Sequence, residues 1–160
     1  MSVVIIFAAI ALVLFGLSFM TRRRFGLLGL ALAAGSILSN LWGDNASFVV
    51  SAIGIRSSPL TTAITLSVIV LLPSVLLLFH GYAYKNIVGR AIGALMFTLL
   101  ALAFLIQPLG YALTLQGFGA NAYTWLVQNK DLIISLGMIS AVVDLFFTKP
   151  AHLSEKKSRR

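Results

Sequence analysis

Cysteine is missing from this chain, and acidic residues nearly are: its 160 residues hold no Cys and only four Asp and Glu. Without a thiol there is no disulfide framework, no Cys nucleophile and no Cys-based zinc or iron–sulfur site. The few carboxylates offer no buried pair for acid–base work inside a membrane. There is no Gly-rich phosphate loop, no HExxH and no GxSxG. The two histidines, His80 and His152, stand 72 positions apart and make no metal motif. The expectation is therefore a non-enzyme with no cofactor and no metal.

Charge of either sign is also scarce. Charged residues make up 10% of the chain, where a soluble domain needs about 25% to cover its surface. Hydrophobic residues fill 59%, and the mean hydropathy is +1.01. Leu, Ile, Val, Phe and Ala run in long blocks broken by short charged punctuation, the pattern of a lipid-solvated chain. The net charge of +8 does not argue for nucleic acid. The basic residues sit at block ends, where they set topology and meet anionic headgroups. The expected partner is the lipid bilayer, together with a second copy of the chain or another membrane subunit.

Five blocks follow one another. Val3 to Met20 holds 18 uncharged residues, about 27 Å of helix, close to the hydrocarbon thickness. It makes a poor signal peptide, since the Arg run follows rather than precedes it and no small-x-small site ends it. Phe25 to Trp42 comes after Arg22, Arg23 and Arg24. Its Ala31, Gly35 and Ser39 share one helix face, and small residues at that spacing let two backbones approach in lipid. Leu60 to Phe79 contains Pro73. Ala91 to about Leu109 is entered through the Gly89–Gly93 GxxxG pair and carries Gln107 and Pro108 near its end. Leu132 to Phe147 is short and carries Asp144. Between blocks two and three, the apolar stretch Phe48 to Ile55 is too short to span. Gly110 to Asn129 reads as a long polar connection whose Tyr123 and Trp125 rest at the interface.

The fold expected is an all-α polytopic bundle of five spans over residues 1–149, with a basic cytoplasmic tail at 150–160. The alternative is four spans plus an interfacial or re-entrant helix. Five spans place Arg22, Arg23, Arg24, Lys85, Arg90, Lys149, Lys156, Lys157, Arg159 and Arg160 on one side, leaving Arg56 and Lys130 on the other. The positive-inside rule then puts the N-terminus outside and the tail inside, here in a bacterial plasma membrane.

Chemistry inside such a bundle would fall to few residues. Asp144 is the only ionisable residue in an expected span, with Ser140 one turn earlier. It reads either as a proton or cation site, or as a residue near the cytoplasmic end that pairs with Lys149 or Arg90. His80, at the end of the third block, reads as a proton relay or as an interfacial residue. Gln107 and Asn40 either line a water-filled cavity or hydrogen-bond between helices. Pro73 and Pro108 are candidate hinges or static kinks.

The basic run Arg22 to Gly26 after a first span, the small-residue-rich second span, and Gly89-Arg90-Ala91-Ile92-Gly93-Ala94-Leu95 together resemble the colicin V production protein family of small bacterial inner-membrane proteins. Arg90 and Gly93 match that family's Asp-Arg-x-x-Gly stretch. Gly89 stands where the family has Asp, and Phe97 and Leu100 stand where it has its next Gly and Arg. A hydrophobic block and basic tail replace its acidic, amphipathic C-terminal part. The resemblance implies a role in toxin export or envelope homeostasis and brings no active site with it. The functions left open are a non-catalytic membrane subunit of that kind, a small oligomeric channel or transporter using Asp144 and His80, or, least favoured for want of paired polar groups at one depth, an enzyme acting on lipid.

Overall fold

The computed structural model describes residues 2–43, 45–52, 54, 56, 58–79, 86–110 and 118–146. All regular structure among them is helical. The helices are α1 (Ser2–Thr21), α2 (Phe25–Trp42), α3 (Ala46–Ala52), α4 (Pro59–Phe79), α5 (Ile87–Gly110) and α6 (Phe118–Phe146). Helices are what an apolar solvent demands, because every backbone N–H and C=O must find its partner within the segment.

Among the described residues, α2, α4, α5 and α6 each hold a stretch long and apolar enough to cross a membrane, and α1 adds a shorter one, Phe7–Thr21. The distribution of side chains fits lipid as the solvent. Leu12, Met20, Ile37, Leu60, Leu76, Ile92, Leu136 and Ile139 are exposed, while Ser18, Ser39, Ser74 and Thr98 are buried. In water, large apolar residues exposed on every long helix would make aggregating patches. In lipid they are solvated, and small or hydroxylated residues take the helix contacts.

Helices α2 and α5 form the centre: 44% and 56% of their spanning windows are buried, against 11% for α6. Leu28, Leu32, Phe97, Leu100 and Leu105 fill the core between them, joined by Val70 of α4 and Ala141 of α6. Helix α1 lies mainly along α5, its Phe7 ring edge-on to Tyr123 of α6 at 5.9 Å.

The small-residue face expected on α2 is its contact with α4. Ala31, Gly35 and Ser39 are all buried. A Cβ on Gly35 would run into the Val70 carbonyl. On either side of that contact Ser39 Oγ donates to Leu66 O at 3.5 Å and Ser74 Oγ donates to Leu28 O at 3.2 Å. Two antiparallel backbones are thus laid against one another with serine hydroxyls as the bridges.

One expectation about the elements needs correction. The stretch Gly110 to Asn129 is not all connection: α6 begins at Phe118, runs for 29 residues and carries Trp125, Lys130 and Asp131 within it. Hydropathy marks where a helix meets lipid, and a helix can continue past that boundary into the interface. The stretch Phe48 to Ile55 contains the end of the short helix α3, whose Val50 is buried and which packs on α4. Pro73 and Pro108 lie inside continuous helices. Each removes one N–H from its ladder, and neither ends its helix.

Candidate functional site

The polar residues gather at the two ends of the bundle. One end, the basic end, carries Arg22, Arg23 and Arg24, the start of α5 and the end of α6. Here helix termini leave backbone groups that no intrahelical partner can satisfy. Arg22 makes the turn from α1 in a left-handed conformation, φ 56°. Arg24 follows with extended backbone and gives α2 no side-chain cap. The cap comes instead from α6: the Gly26 N–H donates to Asp144 Oδ2 at 2.9 Å. A carboxylate at a helix N-terminus both accepts an orphan N–H and meets the positive end of the dipole.

Gly26 makes this possible. A Cβ there would lie 2.5 Å from Ala141 O and 2.9 Å from Leu145 Cγ, so any side chain would push α6 and its carboxylate away.

Two arginines serve the opposite kind of terminus. Arg23 donates from Nε to Leu78 O at 3.0 Å and from a terminal nitrogen to Phe79 O at 2.9 Å, closing the last turn of α4. Arg90 donates from Nε to Phe19 O near the end of α1. Its guanidinium also lies 3.8 Å from the centre of the Phe19 ring, a cation–π contact. Cations at C-termini and an anion at an N-terminus are the arrangement that helix dipoles favour. Arg90 is therefore directed to α1 and Asp144 to α2. The other partner considered for Asp144, Lys149, lies outside the described residues.

No family model matches the chain. No curated protein matches it, and no solved structure matches its fold.

The end remote from the basic one holds a cleft of about 260 Å³ between α2, α4, α5 and α6. Ser36, Ser39, Asn40, Gln107 and Lys130 give it polar lining, and Leu66, Val70, Ala103, Phe104 and Pro108 give it apolar walls. Across its mouth the exposed Gln107 donates from Nε2 to Asn40 Oδ1 at 3.1 Å. The two amides thus bond between helices at the edge of the cleft.

The structure does not unite the residues singled out for an intramembrane ion site. Asp144 is at the basic end and Gln107 is at the other. On α6 itself Lys130 and Asp144 are 14 residues apart, about 21 Å along the helix axis. Ser140 is half-buried, and His80 lies outside the described residues. Gly93 is buried and Gly89 half-buried at the start of α5. Among the described residues no group of three His, Asp or Glu could hold a metal.

Sequence reasoning missed Lys130 as a lining residue, because it stands between the connection ending at Asn129 and the apolar block starting at Leu132 and was read only as a basic flank of the outer side. It also missed Gly26 as the seat of Asp144, since nothing local joins residues 118 positions apart. The available signal was a small residue in the first turn of a helix that lacks its own N-cap.

Proposed function

We propose that this chain is a non-catalytic subunit of a bacterial plasma membrane that crosses the bilayer five times, with its N-terminus outside and residues 150–160 in the cytoplasm. The observation that carries the reading is the use of charge at the basic end. Asp144, Arg23 and Arg90, three of the few charged side chains available, each bind the end of a neighbouring helix. That is the chemistry of a scaffold.

The crossing of α1 is supported by its 20-residue length, about 30 Å of helix. It is supported too by the position of its last turns beside Arg90, at the end where α5 begins. The orientation rests on the positive-inside rule, with ten basic residues on the cytoplasmic side and two on the outer side. A scaffold of this kind agrees with the envelope or export role that a likeness to colicin V production proteins implies.

The test is purification in mild detergent through a tag on the tail, with mass measurement of everything that co-elutes. A stoichiometric foreign membrane protein is the expected result. A clean homo-oligomer that conducts ions in liposomes, with flux abolished by Asp144→Asn, would replace this reading by the channel or transporter. That second reading is favoured by one feature, the polar cleft with Lys130 on its lining.

A further inference from the structure

The cleft differs chemically from the rest of the bundle. Elsewhere in the interior, hydroxyls donate to backbone carbonyls of the same or a neighbouring helix, as Ser74 and Thr98 do. In the cleft an ammonium is added. Lys130 is half-buried, lines the cavity, and among the described residues makes no hydrogen bond or ion pair. Its neighbour Asp131 is exposed, and consecutive residues on a helix do not face each other. Beside the ammonium stand the amides of Asn40 and Gln107, which use one donor and one acceptor on each other and keep the rest of their hydrogen-bonding capacity.

Beneath this polar mouth, Leu66 and Phe104 belong to an apolar floor that runs toward the bundle core. The mouth also has carbonyl character. Helices α2 and α5 both end here, turning the negative ends of two dipoles toward it. Pro108 has no N–H, so the Phe104 carbonyl lacks its ordinary helical donor.

A ligand suited to this site offers an anionic oxygen cluster to Lys130 and the amides, a cation to the helix carbonyls, and an apolar extension along the floor. The volume of about 260 Å³ is slightly below that of sites for whole drug-sized ligands and suits a headgroup-sized fragment. We infer that the cleft seats the phosphate of a zwitterionic phospholipid headgroup, with Lys130 as the phosphate's cation. This goes beyond the subunit reading and does not depend on it, since either a scaffold or a transporter can hold a structural or cargo lipid.

The test is native mass spectrometry of the full-length protein in detergent, titrated with phosphatidylethanolamine, phosphatidylglycerol or water-soluble phosphorylethanolamine. The wild type is expected to hold phosphatidylethanolamine most strongly. Lys130→Gln should weaken it about tenfold, the scale of one lost hydrogen bond to a charged group, and Lys130→Arg should restore most of it. Phe104→Trp, which narrows the floor, should weaken it without touching the charge. Circular dichroism melts of each variant verify that the bundle is intact. Equal lipid retention by intact Lys130→Gln overturns the inference. Stronger binding of phosphatidylglycerol overturns the zwitterionic assignment, and equal competition by phosphorylethanolamine overturns the lipid as the source of the phosphate.

Discussion

Asp144 shows how a single ionisable residue is accommodated beside lipid. A carboxylate in hydrocarbon costs several kcal/mol unless it is partnered or hydrated. Here it accepts the Gly26 N–H at the start of a helix whose own preceding residue gives no side-chain cap. Asp144→Ala is expected to destabilise the bundle by about 1 kcal/mol, the worth of an N-cap. Asp144→Asn keeps an acceptor oxygen and should lose less; unfolding by denaturant in mixed micelles would measure both. If Asp144 were instead a conduction site, Asn would abolish flux and leave stability unchanged. Gly35 offers a sharper case. Gly35→Ala places a Cβ against the Val70 carbonyl and should cost about 1–3 kcal/mol by overpacking. Gly16, with nothing within 4 Å of a built Cβ, is the control: Gly16→Ala should be stabilising by up to about 1 kcal/mol. Equal effects at the two positions would contradict the close crossing of α2 and α4.

At the scale of the element, the ends of the helices decide the architecture. Arg23 holds two carbonyls in the last turn of α4, so Arg23→Ala should fray that turn while leaving its middle intact. Amide exchange is the measurement: residues 76–79 should exchange faster, and residues 63–70 should keep their protection. Uniform acceleration would mean that Arg23 supports the whole bundle rather than one helix end. The limits of what the sequence discloses lie at the same scale. Block two, Phe25 to Trp42, is α2 residue for residue, and Leu60 to Phe79 differs from α4 by one residue, because charge, proline and glycine bracket both apolar runs. The start of α6 was hidden because Asn121, Gln128, Asn129, Lys130 and Asp131 interrupt hydropathy without interrupting a helix. The Ala31, Gly35 and Ser39 face was legible from spacing alone. Its partner on α4 was not, since register between helices leaves no local trace. The cleft depends on four helices meeting, and only two of its lining residues, Asn40 and Gln107, stood out as polar groups near helix ends.

On the scale of the whole molecule, the two ends of the bundle use their polar side chains differently. Its basic end ties helix termini with Arg23, Arg90 and Asp144, and its other end keeps Asn40, Gln107 and Lys130 around a cleft. The two ends lie on opposite faces of the membrane if α1, α2, α4, α5 and α6 all cross. The absence of cysteine makes that claim directly measurable, because every introduced thiol is unique. Single cysteines at Ser2, Asn45, Asn86, Asn121 and Ser158 would be labelled in intact cells with a membrane-impermeant maleimide, before and after permeabilisation. The five-span account predicts labelling of positions 2, 45 and 121 from outside, and of 86 and 158 only after permeabilisation. Labelling of positions 2 and 158 from the same side would contradict it.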